Sequence, residues 1–194
     1  MFSYDADTGE YQWGYHIENR YHVYTLNEKK DSTLIPSSVY DAEVTSEYVV
    51  LLSGGSVIAL DRLTGQKVWE TFFTGEIQDG FYVGLAIKDM GVYIASSGWH
   101  ATKLDLDSGD ILWRRDIEYS NISIPTIQNG RMYFNNSGGG GIWVLDIMDG
   151  SVIYHKNPPN FSFDDFDVYI SSLAVDEGYM VDVGSKAVYC LKVP

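Results

Sequence analysis

The chain contains few of the residues on which several classes of protein depend. Its 194 residues include one cysteine and five prolines, and 27 acidic residues stand against 13 basic ones. A single cysteine excludes an internal disulfide and a cysteine-rich metal site, so we expect Cys190 to be a small buried hydrophobic residue within a strand. No apolar run approaches the roughly 20 residues of a membrane-spanning helix. The segment from Met1 to Asp5 is not a basic and then apolar leader, which predicts a soluble, cytoplasmic protein, although removal of a leader would leave the same sequence.

Motifs for catalysis and for metal binding are also scarce. The four histidines show no paired spacing of metal ligands, and no G-x-S-x-G segment marks a nucleophile. The glycines at 138–141 lack the Lys-Ser/Thr step of a phosphate-binding loop. Asp-x-Asp-x-Gly segments begin at Asp5 and Asp105, but they lack the later oxygen ligands of an EF-hand loop and are interpreted as turns. The sequence therefore predicts no enzyme, no metal site and no cofactor.

A turn motif recurs four times along the chain. Each copy begins with aspartate, has glycine at its fifth position and an aromatic residue eight positions after the aspartate. The copies are Asp5, Gly9 and Trp13; Asp61, Gly65 and Trp69; Asp105, Gly109 and Trp113; and Asp146, Gly150 and Tyr154. Aspartate can accept hydrogen bonds from N–H groups of a turn, and glycine tolerates the positive φ that such a turn requires. Successive aspartates lie 56, 44 and 41 residues apart, and a period of roughly 40 to 50 residues is typical of propellers.

Apolar runs around each motif supply the strands of the repeat. Two short runs precede the motif, and the motif joins a third strand to a fourth, so each repeat predicts a four-stranded antiparallel blade. We place the repeats at about 36–77, 82–116, 122–156 and 171–192. The last repeat stops after three strands, and residues 10–17 are predicted to complete it and close the ring. The expected fold is therefore one all-β domain over residues 1–194, a propeller of four blades, or of five if residues 1–35 form an irregular blade.

One copy of the repeat is close to a known consensus. The segment from Ala59 to Trp69 reads as alternating apolar residues, Leu-Asp-x-x-Thr-Gly and then tryptophan, and it resembles the PQQ-like repeat named for quinoprotein dehydrogenases. The resemblance covers nearly the whole chain and implies a β-propeller, a fold that hosts enzymes, scaffolds and inhibitors alike. Quinone enzymes of this family are much longer, have about twice as many blades and often place adjacent cysteines against the cofactor. The resemblance therefore implies a small non-enzymatic member.

The long connections of the predicted blades carry acids and aromatic rings. Connections between second and third strands, and between blades, emerge on one face. The candidate partner-binding residues on this face are Glu76, Asp79, Phe81, Trp99, His100, Glu118, Tyr119, Phe163, Asp164, Asp165, Phe166 and Asp167. Rings supply contact area and carboxylates speed association, so this face is predicted to bind a protein. In the alternative interpretation, about half of the rings fill the spaces between blades. The opposite face has short turns and is expected to offer less.

Charge indicates the type of partner. A net charge of −14 should repel nucleic acid and anionic membranes and attract a basic protein, although such a charge can also serve solubility alone. We expect an immunity or antitoxin-type inhibitor that blocks a basic toxin or nuclease. The alternatives are a scaffold propeller in a protein assembly and a carbohydrate-binding propeller, and a bound small molecule is not excluded.

Overall fold

A computed structural model of the chain describes residues 1–17, 20–26, 29–35, 39–53, 55–73, 82–96, 100–117, 123–136, 141–156, 173–183 and 188–192. These residues form nineteen β-strands and no helix. Two hairpins come first, β1 (Phe2–Tyr4) with β2 (Tyr11–Gly14), and β3 (Arg20–Leu26) with β4 (Lys29–Ile35). Across these described ranges, no helix could cross a membrane.

Three four-stranded sheets and one three-stranded sheet follow. The first contains β5 (Val39–Val44), β6 (Tyr48–Ser53), β7 (Ser56–Asp61) and β8 (Lys67–Phe72). The second contains β9 (Tyr82–Lys88), β10 (Gly91–Ser96), β11 (His100–Asp105) and β12 (Ile111–Asp116). The third contains β13 (Thr126–Gln128), β14 (Arg131–Asn136), β15 (Gly141–Asp146) and β16 (Val152–Lys156). The last contains β17 (Ala174–Asp176), β18 (Tyr179–Val183) and β19 (Val188–Lys192). Strands that follow one another in the chain pair antiparallel within each sheet, which confirms the predicted all-β architecture of four-stranded units.

The sheets pack face to face in chain order, and the core lies between them. In β6, Val50 and Leu52 pack against the sheet β9–β12, while Val49 and Leu51 pack on the other side against the β1–β2 segment. Similar apolar clusters join β9–β12 to β13–β16, and β13–β16 to β17–β19. Because both faces of a middle strand are covered, β6 and β7 are near-continuous apolar runs rather than alternating ones. The first strands β5, β9, β13 and β17 contact one another in succession and form the inner edge of the series.

The motif tryptophans connect one unit to the next at the first three junctions. Each indole Nε1–H donates a hydrogen bond to the carbonyl of the second residue in the following unit's turn motif. The pairs are Trp13 with Arg62 (2.9 Å), Trp69 with Leu106 (2.8 Å) and Trp113 with Ile147 (3.0 Å). The indole ring covers the motif glycine of that next unit. A Cβ added at Gly65, Gly109 or Gly150 would lie 2.5, 2.6 or 2.8 Å from the ring. Each glycine has positive φ, so turn geometry and close packing both require it.

Two expectations about the ends of the chain have different outcomes. In the described part of the chain, β2 pairs with β1 and β19 pairs with β18. The predicted strand pairing of residues 10–17 with the last repeat is not found among these residues, and the repeat boundaries stay predictions. Cys190 lies in a strand as expected, but its predicted burial is wrong, because its side chain is exposed. It lies on the face of β17–β19 that no other described sheet covers.

Candidate functional site

The two ends of the sheets form two different surfaces. We call one end the turn face, because it carries the turns between first and second strands and the motif turns between third and fourth strands. Within each four-stranded sheet a backbone hydrogen bond joins these two turns, as from Arg62 N to Glu47 O (2.8 Å) and from Leu106 N to Met90 O (3.0 Å). The opposite end is the loop face, from which the other connections leave.

The strand order assigns all the candidate partner-binding residues to connections of the loop face or to their boundaries. His100, the first residue of β11, is the one candidate within the described residues. The others lie outside them: Glu76, Asp79, Phe81, Trp99, Glu118, Tyr119, Phe163, Asp164, Asp165, Phe166 and Asp167. The structure therefore fixes the strands from which these segments leave, and the binding role of the segments stays a prediction.

His100 is placed beside a carboxylate that the candidate set does not include. Its cross-strand partner on β12 is Asp116, and Nδ1 of His100 lies 3.0 Å from Oδ1 of Asp116. The histidine side chain is 12% exposed and the aspartate side chain 92% exposed. The arrangement anchors an imidazole at the end of the sheet and leaves a carboxylate in solvent beside it, two residues before the predicted binding residue Glu118.

Hydrogen bonds fix the residues at which the loop-face connections join the strands. Ser123 N donates to the carbonyl of Asn135 (3.0 Å), and Asn135 N donates to Oγ of Ser123 (3.1 Å). Thr126 Oγ1 donates to the carbonyl of Leu173 (2.6 Å), which links the first strand of one sheet to the start of the next. Ser123, Asn135 and Leu173 are buried. The loop face therefore consists of connections mounted on fixed strand ends, the usual arrangement for recognition loops.

The turn face carries a regular set of carboxylates, each with a structural task. Oδ1 of Asp5 accepts hydrogen bonds from Asp7 N (3.0 Å), Thr8 N (2.8 Å) and Thr8 Oγ1 (3.0 Å). Asp61 and Asp105 make the corresponding bonds in their own turns. The Thr8 N–H is the largest cause of the lowered pKa of Asp5. The Thr64 hydroxyl acts most strongly on the lowered pKa of Asp61, and the Ser108 N–H on that of Asp105. These donors favour the charged carboxylate.

Further acids on the turn face lie in solvent. Asp7, Asp89, Asp107, Asp149 and Glu177 are all exposed. The face with the short turns was expected to offer less, yet several of its turns present carboxylates to solvent: Asp7 and Asp107 at third motif positions, Asp149 at a fourth, and Asp89 and Glu177 in turns between first and second strands. In the motifs of Asp5 and Asp105 the sequence carried this signal, because the first aspartate accepts hydrogen bonds within the turn while the acid two positions later is exposed. Any test of acidic recognition must therefore compare both faces.

Acidification provides a test of the turn aspartates. Their folded pKa lies below the ordinary value of 3.8, so the unfolded chain binds more protons as the pH falls. Their contribution to stability is present above pH 3.8 and is lost as the pH falls through the lower folded values. We expect the melting temperature to drop over this window, and Asp61→Asn to show a smaller drop than wild type. Thermal melts at a series of pH values, with exposed Asp7→Asn as the control, check this; equal pH dependence in wild type and Asp61→Asn would contradict it.

The inner edge of the series is also acidic. Oδ2 of Asp41 on β5 accepts a hydrogen bond from Leu85 N (2.9 Å) on β9, and Oδ1 accepts one from Ala42 N (2.9 Å). Burial, followed by repulsion from Asp41, raises the pKa of Glu43 two residues along the same strand. Asp41 therefore connects two first strands, a structural role that sequence reasoning missed. Within the described ranges, no three or more His, Cys, Asp or Glu side chains are grouped so that they could hold a metal ion.

Comparison with known proteins identifies the family. The family model of the outer membrane protein assembly factor BamB matches residues 53–161, more than half of the 194 residues. The chain belongs to the BamB family. No curated protein matches the chain. The matched span of this BamB-family chain contains three of the four motif turns, so the match rests on the same repeats that the sequence analysis found.

Solved structures show the fold of this BamB-family chain. The computationally designed Ika8 protein has a TM-score of 0.69 at 16% identity, over 98% of this chain and 51% of Ika8. BamB from Moraxella catarrhalis has a TM-score of 0.64 at 13% identity, over 92% of this chain and 64% of that one. Quinohemoprotein alcohol dehydrogenase from Comamonas testosteroni has a TM-score of 0.59 at 15% identity, over 76% of this chain and 29% of that one. The chain thus spans about half of Ika8 and less of the dehydrogenase. Together with the sheets, these likenesses confirm a β-propeller built from PQQ-like repeats.

Proposed function

We propose that the chain is a non-catalytic propeller that binds a basic protein partner on its loop face. Membership of a family described as an outer membrane protein assembly factor is the observation that carries this proposal. The net charge of −14 supports a positively charged partner, because an acidic surface accelerates encounter with a basic one and disfavours nucleic acid.

The described geometry supports the loop face as the binding surface. The motif aspartates of the turn face are committed to their own turns, where they accept hydrogen bonds from backbone N–H groups. On the loop face, the exposed Asp116 carboxylate next to His100 has no such backbone task among the described bonds. The connections that contain residues 76–81, 118–119 and 163–167 are flanked by the buried residues Phe73, Ile117, Ser123 and Leu173. Aromatic and acidic side chains on such a base can give both contact area and rapid association.

The role of the complex takes one of two forms. In the form that family membership favours, the propeller is a scaffold that holds its basic partner within a protein assembly. In the form that the strong negative charge favours, it is an immunity or antitoxin-type inhibitor, and the acidic loops cover the active site of a basic toxin or nuclease. The two forms differ in whether the bound partner keeps its activity.

Affinity capture from the source cell tests the proposal. With the full chain as bait, we expect a basic protein to be retained at low salt and to be lost progressively as salt increases, because screening weakens exposed charge pairs. Mass spectrometry identifies the retained protein, and a Tyr4→Lys bait, which leaves the loop face unchanged, serves as a control. A partner whose activity stops on binding supports the inhibitor form, and an active partner supports the scaffold form. Retention of acidic proteins alone, or of none, would overturn the proposal.

A further inference from the structure

The last sheet leaves one apolar face uncovered. We call the face of a sheet that packs on the following sheet its leading face, and the opposite one its trailing face. In the first four-stranded sheet, Val50 and Val57 lie on the leading face and are fully buried against the next sheet. In the last sheet Lys192 stands where the motif has aspartate, and Val181 and Val188 stand at the register positions of Val50 and Val57. Val188 is 67% exposed, and Val181 and Cys190 are exposed beside it.

The pairing within the last sheet explains this exposure. Val181 on β18 pairs with Cys190 on β19, so both side chains point to the leading face. Met180 pairs with Leu191 and points the other way, into the cluster shared with the third four-stranded sheet. Among the described residues the sheet is therefore packed on its trailing face alone, although its leading face has the apolar character of the leading faces before it.

The first hairpin shows the reverse pattern. Trp13 lies on its leading face and is buried against the following sheet. Its trailing face carries Phe2, Tyr4 and Tyr11, all exposed, with Phe2 at 70%. Tyr4 and Tyr11 make an edge-to-face contact with ring centroids 5.9 Å apart. The positions of Phe2 and Tyr4 relative to the motif aspartate are those of Ile58 and Leu60 in the next unit, which are fully buried.

Each internal junction of the molecule joins a leading face to a trailing face. This holds from the first hairpin through to the last sheet, across four apolar clusters. The two uncovered faces are one of each kind. They are therefore complementary in the same sense as the covered faces, and each presents apolar side chains of the size that such a junction buries.

We propose that a second copy of this chain covers these faces, so that the leading face of β17–β19 in one copy packs on the aromatic trailing face of β1–β2 in the other. Among the described residues both faces are exposed and the two elements do not pair, so we assign the cover to a second copy rather than to the strand pairing predicted within one chain. The contact is heterologous, and two copies placed head to tail close a ring if the rotation between them is suitable. The proposal is independent of the partner on the loop face.

Sedimentation velocity over a range of concentrations tests this contact. We expect wild type to pass from monomer to dimer, and Val188→Lys or Tyr4→Lys alone to remain monomeric at concentrations where wild type is fully dimeric. An equal mixture of the two variants is expected to associate, because the leading face of Tyr4→Lys and the trailing face of Val188→Lys are intact. Val68→Lys, at an exposed position on the outer strand β8, is the matched control and should dimerise as wild type does.

Several results would overturn the proposal. They are a wild-type chain that is monomeric at every concentration, a control variant as monomeric as Val188→Lys, or a variant mixture that does not associate. Thermal melts establish that each variant is folded, which is expected because the substituted side chains are exposed in the single chain.

Cross-linking tests whether a second copy of this chain packs on the exposed faces. In Phe2→Cys, a short bismaleimide should join the new thiol to Cys190 of another copy and give a band of twice the chain mass on a denaturing gel. The control is Phe2→Cys with Cys190→Ser, which should remain at the mass of one chain. An internal cross-link within one chain, or no cross-link, would exclude the second copy as the cover.

Discussion

Replacement of Trp69 by alanine is expected to lower the free energy of unfolding by roughly 3 to 5 kcal/mol. The indole is 8% exposed and belongs to the cluster between the first two four-stranded sheets. Its Nε1–H also donates to the carbonyl of Leu106 (2.8 Å), so the substitution removes a buried ring and leaves a buried acceptor without its donor. Urea denaturation followed by fluorescence of the remaining tryptophans measures the loss.

Val68→Ala is the control for Trp69→Ala. Val68 precedes the tryptophan on the same outer strand but has an exposed side chain. Val68→Ala should therefore lower the free energy of unfolding much less than Trp69→Ala does. If Trp69→Ala melted at the wild-type temperature, the assignment of the ring to the junction between units would be wrong. Equal losses in both variants would indicate a general sensitivity of the strand rather than the junction.

A methyl group at Gly109 is expected to be nearly as damaging as the loss of the tryptophan that covers it. Alanine at the positive φ of 75° costs about 1 to 2 kcal/mol in backbone strain. The new Cβ would also lie 2.6 Å from the Trp69 ring, and overpacking of this kind typically costs roughly 1 to 3 kcal/mol more. We therefore expect Gly109→Ala to lose about 2 to 5 kcal/mol in the same denaturation measurement.

Gly9→Ala separates the two causes. Gly9 occupies the same position of the first motif with a φ of 72°, but nothing lies within 4 Å of an added Cβ. The free energy of unfolding of Gly9→Ala should therefore fall only by the cost of the backbone strain. A Gly9→Ala loss as large as that of Gly109→Ala would mean that the packed ring adds nothing and that φ alone selects glycine.

The repeat was predictable because its residues have local reasons. Asp61 and Gly65 suit one turn, and the apolar run before them suits a buried strand, so sequence reasoning found the turn, the strands and the sheet order. What it could not find is the partner of Trp69. The ring packs on Gly109 and not on the glycine of its own motif, a contact that depends on how two sheets are placed relative to each other.

The errors have the same origin. Cys190 was predicted to be buried because it lies in an apolar strand, but burial in this fold is given by the next sheet, and no described sheet covers the one that holds Cys190. Asp41 bonds to Leu85 N across two sheets, and neither sequence period nor local spacing reveals such a pairing. Loop-face candidates such as Asp164 lie outside the described residues, so their role rests on topology and charge alone.

The most direct test of the account compares two variants with the same net charge. One neutralises the loop face as Asp164→Asn, Asp165→Asn and Asp167→Asn; the other neutralises the turn face as Asp7→Asn, Asp89→Asn and Glu177→Gln. Each removes three negative charges from the −14 of wild type. If association depended on net charge alone, the association rates of both variants would therefore fall equally. The association rate with the captured basic partner, measured at low and high salt, is predicted to fall for the loop-face variant at low salt and to stay near wild type for the turn-face variant. Equal rates for the two variants, or a fall confined to the turn-face variant, would contradict recognition by the loop face.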